Sequence, residues 1–246
     1  MSERFFLAVA PRGPTASLVG DEARHLARVL RAKVGETVRV FDGSGTEWPA
    51  RIDSIERDRV DLALGAPIAP AETSGRSLTL AVALPKGDRQ KWMVEKLTEL
   101  GVARLVPLVT SRGVAEATPA AIERLKRSVI EACKQCGRST LLEIAEPRPL
   151  AACVAEKPPG SPGLVADPGG IPVADAVYSA SAKQGADMIA LVGPEGGFTD
   201  EEFAAAVEAG FTAVSLGRHV LRIETAAIAV AAVVAATRRP PTLPDR

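Results

Sequence analysis

Short runs in which hydrophobic and polar residues alternate occupy the first part of the chain. These runs predict β-strands at Arg4–Val9, Glu36–Phe41, Glu47–Ile55 and Arg59–Ala63. Between the first two runs, Asp21–Lys33 has helical periodicity, with Leu26, Val29 and Leu30 on one side. We therefore expect residues 1–72 to form a small β-rich, barrel-like domain that one helix interrupts.

A different pattern follows the proline-rich segment Ala66–Gly75, which has the composition of a linker. Continuous apolar runs, typical of buried strands, alternate with helical segments over residues 73–246. The predicted strands are Ser77–Leu84, Val102–Val109, Leu141–Ala145, Gly163–Ala166, Asp187–Val192 and Ala213–Leu216, and the predicted helices are Asp88–Leu100, Pro119–Cys136, Asp200–Ala209 and Glu224–Ala236. This alternation predicts an α/β domain with a mostly parallel sheet covered on both faces.

Ligands of such sheets bind beyond the carboxyl ends of the strands. The glycine-rich loop Gly193–Phe198 follows one predicted strand, and the loop Gly217–Arg222 follows another. The first loop matches neither the dinucleotide fingerprint nor the triphosphate-binding loop. The second places Arg218, His219 and Arg222 just before an apolar helix, where charge is costly unless it faces a cleft or an anion.

Composition narrows the class of protein. Of 246 residues, 46% are hydrophobic and 24% charged, as in an ordinary folded domain. Thirty basic residues balance thirty acidic ones, so any nucleic-acid site must be a local patch. Three cysteines favour a reducing, cytoplasmic location, and Cys133 and Cys136 lack a second pair of zinc ligands. The longest apolar run, Ala226–Ala236, is too short to span a bilayer. We expect no metal and no membrane partner.

Two long motifs, Leu191–Phe198 and Leu216–Ala226, closely resemble the signatures of the RsmE family, the bacterial small-subunit (16S) rRNA uridine N3-methyltransferases of the SPOUT class. The resemblance covers nearly the whole chain. It also includes Pro85–Arg89, Lys96–Val102, Gln135–Arg138, Arg4–Phe6, His25, Val29–Arg31 and Val40–Gly43. Two positions depart from the family pattern, since His219 stands where relatives commonly carry arginine and Lys134 where many carry glutamate.

The resemblance implies a PUA-like RNA-binding domain over residues 1–72 and a SPOUT methyltransferase domain with a C-terminal trefoil knot over 73–246, in a homodimer. It implies S-adenosylmethionine as methyl donor, and small-subunit rRNA or the assembled small subunit as partner. The donor would lie against main-chain groups and aliphatic side chains. The residues implied are Leu191, Gly193, Gly196, Gly197, Leu216, Gly217, Val220, Leu221 and Thr225.

Methylation of uracil N3 requires loss of the N3 proton and stabilisation of the charge that spreads to the flanking carbonyl oxygens. Arginine stays protonated, so it suits the second task rather than the first. Arg222 is the main candidate, and Arg138 and Arg4 are further ones. Arg222 has a structural alternative, an ion pair with Glu224.

Three side chains are candidates for accepting the proton: Glu195, Glu224 and His219. Each has an alternative interpretation, because Glu195 can organise its loop and Glu224 can accept the free amides of the last helix. Solvent can also take the proton.

A row of arginines is the main candidate for RNA contact. Arg24, Arg28 and Arg31 share one side of the predicted helix, although such rows are often only solvated faces. The full RNA-binding set, which depends mostly on the resemblance, is Arg4, Arg24, Arg28, Arg31, Lys86, Arg89 and Arg138. The alternatives are a SPOUT enzyme for another RNA position and a non-catalytic RNA-binding or ribosome-assembly protein.

Overall fold

The computed structural model describes residues 3–69, 77–115, 117–181 and 187–237. Packing divides the chain into two compact units. The first is Met1–Thr73 with Ile130–Leu141, and the second is Ser74–Val129 with Leu142–Arg246. The boundary predicted between residues 72 and 73 lies outside the described residues. The sequence division leaves residues 130–141 with the second domain, whereas their contacts group them with the first unit.

The described strands of the first unit form a mixed five-stranded sheet. They are β1 (Arg4–Phe6), β2 (Thr15–Val19), β3 (Thr37–Phe41), β4 (Glu47–Ile55) and β5 (Arg59–Leu64). Their order is β1-β3-β4-β5-β2, with β1 parallel to β3 and the other pairs antiparallel. Alternate side chains, among them Phe5, Val40 and Ile52, are buried in one core, as the period of two requires. Strand β2 was not predicted, because its short hydrophobic run is flanked by turn-forming residues.

The predicted helix Asp21–Lys33 is wrong at its C-terminal end. Helix α1 spans Gly20–Arg24 and continues as a π-helical turn, His25–Val29. The amide of Leu30 donates to the carbonyl of His25, five residues back, at 3.1 Å. A π-turn displaces the following side chains around the helix axis. Leu26 is therefore fully buried, whereas Val29 and Leu30 are exposed.

The second unit contains a parallel sheet, which confirms the predicted α/β class. Its described strands are β6 (Leu78–Val82), β7 (Arg104–Val109), β8 (Glu143–Ile144), β9 (Arg148–Pro149), β10 (Gly163–Pro172), β11 (Met188–Val192) and β12 (Phe211–Ser215). The order is β12-β10-β11-β6-β7-β8, with β9 also paired to β7. All these pairings are parallel.

Helices follow most of these strands. They are α2 (Arg89–Glu99), α3 (Pro119–Cys136), α4 (Leu150–Ala155), α5 (Val173–Ser181), α6 (Asp200–Glu208) and α7 (Ile223–Ala236). The Thr118 hydroxyl accepts a hydrogen bond from the amide of Ala121, which confirms the predicted start of α3. Alanines 226, 227 and 231 are buried, which confirms that the apolar helix α7 packs in the interior. The short elements α4, α5 and β9 were not predicted from the sequence. None of the described helices has the length and apolar character of a membrane span.

Candidate functional site

A cavity of about 680 Å³ opens beyond the carboxyl ends of β11 and β12, beside the irregularity within β10 between Ala166 and Ile171. Three stretches of chain line it: Ala166–Pro168 after the first part of β10, Val192–Phe198 after β11, and Val214–Leu221 at the end of β12. Strand β10 lies between the other two strands, so all three loops meet at one edge of the sheet. Small-molecule sites in proteins have volumes of roughly 300–1,000 Å³. The cavity is therefore large enough for a nucleoside-sized ligand.

Most of the predicted donor-binding residues line this cavity. They are Gly193, Gly196, Gly197, Leu216, Gly217, Val220 and Leu221. Leu191 is buried within β11, and Thr225 is exposed on α7; neither belongs to the cavity wall. The two predicted strand-end loops thus come together, and their glycines contribute main-chain surface to one hollow.

Backbone conformation explains two of these glycines. Gly197 has a φ of +70° and Gly217 a φ of +130°, values that side-chain-bearing residues rarely adopt. A Cβ atom added at either position would meet nothing within 4 Å. The backbone conformation, and not a lack of room for a side chain, therefore requires glycine at these positions. The absence of a side chain leaves the main chain open to a ligand.

A capping box fixes the exit of the glycine-rich loop into α6. The Thr199 hydroxyl accepts from the amide of Glu202 at 3.2 Å, and the Glu202 carboxylate accepts from the amide of Thr199 at 2.9 Å. The same carboxylate accepts from the amide of Ser111 at 2.8 Å. Burial alone raises the pKa of Glu202, but these hydrogen bonds outweigh burial and lower it.

The sequence analysis missed the contribution of β10 to the cavity. Asp167 and Pro168 line it, and the Asp167 carboxylate accepts from the amide of Gly169 at 2.7 Å. A signal was present, because Gly163–Ala166 is a predicted strand and ligands bind where such strands end. Applying that rule to every predicted strand would have included Asp167.

A second cavity, of about 480 Å³, adjoins the first. Arg89, Glu195, Val220, Leu221 and Arg222 line it, and Glu195, Val220 and Leu221 line the first cavity as well. The Arg89 guanidinium Nη1 lies 3.2 Å from the nearer oxygen of Glu195. Two arginines therefore face a hollow that shares a wall with the glycine-lined one.

The predicted catalytic residues differ in their surroundings. Glu224 is only 4% exposed; Arg89 Nη1 lies 3.7 Å from its Oε1, and its Oε2 has no hydrogen-bond partner among the described residues. Arg222 precedes α7 as its N-cap residue and is exposed. Within the described parts of the chain the alternative ion pair between Arg222 and Glu224 does not form, because the cation beside Glu224 belongs to Arg89.

Sequence comparisons identify the family. A model of the RNA methyltransferase domain family matches residues 72–235, and one of the RNA methyltransferase PUA domain matches residues 18–64. Ribosomal RNA small subunit methyltransferase E of Synechocystis is 33% identical over 89% of this chain and 73% of its own length. That of Rickettsia conorii is 32% identical over 88% of each chain. This chain belongs to the small subunit rRNA methyltransferase E family.

A solved structure of the same family has the same fold. The Neisseria gonorrhoeae ribosomal RNA small subunit methyltransferase E, bound to S-adenosyl methionine, superimposes with a TM-score of 0.86 at 30% identity, covering 96% of this chain and 98% of the other. The mixed sheet and the parallel sheet described above are thus features of the methyltransferase E fold.

His219 contacts its neighbour Arg218. Arg218 Nε lies 2.9 Å from His219 Nε2 and donates a hydrogen bond to it. Both residues are exposed and line the first cavity.

The predicted RNA-binding arginines of the first unit do not form a regular helical row. Arg24 pairs with Asp21 and Asp58, while Arg31 has a φ of +55° and has left the helix. Arg28 is exposed on the π-helical turn. The predicted spacing fails because a π-turn does not keep the 3.6-residue period.

The other members of the predicted RNA-binding set are divided between the units. Arg4 and Arg138 belong to the first unit, and Lys86 and Arg89 to the second. The Arg4 side chain is 10% exposed, and its guanidinium donates to the Glu47 carboxylate at 2.6 Å and to the carbonyl of Cys133 at 2.8 Å. Lys86 is exposed. Arg4 thus has a structural role inside its unit, whatever else it contacts.

Metal ligands do not cluster in the described part of the chain. No group of three or more histidine, cysteine, aspartate or glutamate residues there has the geometry to hold an ion. Cys133 and Cys153 are buried and Cys136 is exposed, and within the described residues these cysteines form no disulfide.

Proposed function

We propose that this protein transfers a methyl group from S-adenosylmethionine to N3 of a uridine in small-subunit rRNA. One observation carries the proposal: a glycine-lined cavity and a cavity with two arginines share Glu195, Val220 and Leu221. Methyl transfer is an in-line displacement, so donor and acceptor must lie side by side. Two adjoining cavities with a common wall meet that requirement.

The first cavity suits the donor. Main-chain groups of Gly193–Phe198 and Leu216–Leu221 would hold the adenosine, as the volume and the open space around Gly197 allow. The carboxylates of Asp167, Asp200 and Glu195 line the same cavity and complement a cationic ligand with hydroxyl groups. The donor, once bound, supplies a methyl group activated by a sulfonium.

The second cavity suits the uracil. Arg222 is exposed there and, within the described residues, makes no cap hydrogen bond with its side chain, so its N–H donors can face the carbonyl oxygens that flank N3. Arg89 is already held by Glu195 and Glu224. A preorganised donor of this kind contributes about 2.7–4 kcal/mol to transition-state stabilisation. We therefore assign charge stabilisation to Arg222.

Glu195 is our choice among the three candidates for the proton acceptor. Its carboxylate is on the wall between the two cavities, whereas His219 lines only the first and Glu224 lines neither. A general base must come within hydrogen-bond reach of the proton that it removes. Of the three candidates, only Glu195 lines the cavity that we assign to the uracil.

We further propose that residues 1–72 act as a PUA-like RNA-binding domain and residues 73–246 as a SPOUT methyltransferase domain with a C-terminal trefoil knot. The family matches at 18–64 and 72–235 support this division. The proposal includes a homodimer that works in the cytoplasm on small-subunit rRNA, free or in the assembled subunit.

Titration calorimetry tests the donor site. The wild type should bind S-adenosylmethionine, and Gly197→Trp should lose binding because the new side chain fills the cavity. Gly160→Trp is a matched control, since Gly160 also has a positive φ of +80° with nothing within 4 Å of a Cβ, and it does not line the cavity. Equal losses in both variants would contradict the assigned site.

Nucleoside mass mapping of rRNA from a deletion strain tests the reaction. We expect one N3-methylated uridine of the small subunit to disappear and to return with a wild-type copy of the gene. If every N3-methylated uridine persists in the deletion strain, the proposed substrate is wrong. If the protein binds the donor but its deletion changes no rRNA modification, a non-catalytic assembly protein is favoured.

A further inference from the structure

The turn that follows β7 holds the glycine-rich loop from outside the cavity. Arg112 Nη1 donates to the carbonyl of Gly196 at 2.8 Å and to the carbonyl of Phe198 at 3.2 Å. The turn is closed by a hydrogen bond from the amide of Gly113 to the carbonyl of Thr110 at 3.1 Å. A short, hydrogen-bonded turn thus presents one guanidinium to two carbonyl oxygens of the loop.

Two further contacts from the same turn strengthen this attachment. A Cβ atom at Gly196 would lie 3.5 Å from Arg112 Cδ, so the aliphatic part of the arginine packs over this glycine. The amide of Ser111 donates to the Glu202 carboxylate, which also caps α6. Arg112 therefore holds the loop itself, and Ser111 holds the first turn of the helix that follows it.

Arginine is well suited to this position. A loop that binds its ligand through main-chain groups loses conformational entropy on binding unless it is ordered beforehand. A charged donor makes stronger hydrogen bonds to carbonyl oxygens than a neutral one, and the rigid guanidinium plane loses less freedom than a lysine side chain. Arg112 does not itself line the cavity.

We propose that Arg112 is a positioning residue for the methyl donor: it holds the main chain of Gly196–Phe198 in the donor-binding conformation before the donor arrives. This inference rests on the proposed function. Because Arg112 acts on donor binding and lies outside both cavities, its loss should raise the donor Kd and KM and leave kcat at saturating donor unchanged.

The test compares Arg112→Met and Arg112→Lys with Arg104→Met. Arg104 lies at the opposite end of β7 and pairs with Glu143 at the surface, so its variant is the matched control. In calorimetry, Arg112→Met should raise the donor Kd about tenfold, because the loop loses both hydrogen bonds from this exposed guanidinium and is less ordered before the donor binds. Arg112→Lys should recover part of the affinity, and Arg104→Met should bind like the wild type.

Hydrogen exchange provides a second readout. Amides of residues 193–198 should exchange faster in Arg112→Met, while peptides of the first unit keep their wild-type rates. A donor Kd within about twofold of wild type in a folded Arg112→Met protein would overturn the inference, and so would a fall in kcat with unchanged KM. If the wild type itself binds no donor, the proposed function fails and this inference fails with it.

Discussion

Two buried glutamates, one in each unit, have contrasting surroundings. Glu47 in the first unit is 8% exposed and accepts hydrogen bonds from Arg4, Arg39 and Ser139. Glu224 in the second is 4% exposed, has one cation at 3.7 Å, and leaves an oxygen without a partner within the described residues. A buried carboxylate is costly unless it is paired and hydrogen-bonded.

The contrast is between a carboxylate in a complete hydrogen-bond network and one that is only partly paired. Burial alone raises the pKa of Glu47, but the hydrogen bond from Arg39 and the charge of Arg4 outweigh burial and lower it. Its network joins β1, β3 and β4 to the segment that follows α3. Glu224 has one oxygen without a partner among the described residues, and the cation beside it, Arg89, lines the second cavity. Incomplete pairing of this kind concentrates where a protein must bind something else.

The largest effect that we expect is on catalysis, at Arg222. Arg222→Ala should lower kcat/KM about 10²–10³-fold, because one preorganised donor is lost. Thermal stability should not change, since the side chain is exposed and makes no cap hydrogen bond. Arg124→Ala, at an exposed position on α3, is the control. If Arg222→Ala methylates RNA at the wild-type rate, Arg222 has no role in catalysis.

The next effect is on stability, at Arg4. Arg4→Met should lower the free energy of unfolding by about 3 kcal/mol, because it removes the buried one of the two cations that pair with the Glu47 carboxylate at 2.6 Å. Arg39→Met is the matched control: it removes a hydrogen bond to the same carboxylate, but its side chain is 48% exposed, so about 1 kcal/mol is expected. Urea unfolding measures both. Equal losses of unfolding free energy in the two variants would show that burial does not decide the strength of the ion pairs of Glu47.

A smaller effect should appear as coupling between Arg89 and Glu224. Arg89→Met leaves a buried carboxylate unpaired, and adding Glu224→Gln removes that charge, so the double variant should be more stable than Arg89→Met alone. A double-mutant cycle should give a coupling energy of about 1 kcal/mol. The exposed pair of Arg104 and Glu143 should give less than about 0.5 kcal/mol. A coupling near zero at Glu224 would mean that Arg89 does not stabilise it.

The smallest effect is on the pH dependence of stability. The pKa of Glu47 in the folded protein is below its ordinary value of 4.5, so its contribution is present above that pH and is lost as the pH falls through the folded-state pKa. Glu47→Gln should therefore flatten the decline of unfolding free energy below about pH 5. Asp61→Asn, at a more exposed carboxylate, should flatten it less. An unchanged slope in Glu47→Gln would contradict the lowered pKa.

Local signals predicted much of the architecture. The strand Glu47–Ile55 and the helix starts at Pro119 and Asp200 agree with the structure, because alternation and capping depend on neighbouring residues. The predicted end of the helix that begins near Asp21 was wrong, because a π-turn has no local signal in the hydrophobic periodicity. Likewise, nothing close in sequence indicates that residues 130–141 pack with the first unit.

The two strand-end loops could be predicted from the sequence, because an apolar strand and the glycines that follow it are neighbours in the chain. Which side chains surround these loops depends on tertiary packing. Arg89 meets Glu195 across 106 residues of chain, and Arg112 meets Gly196 across 84. These contacts exist because β6 and β7 follow β11 in the sheet, which brings the turns after three strands to the same edge. Strand order is a property of the packed sheet, and no short stretch of sequence contains it.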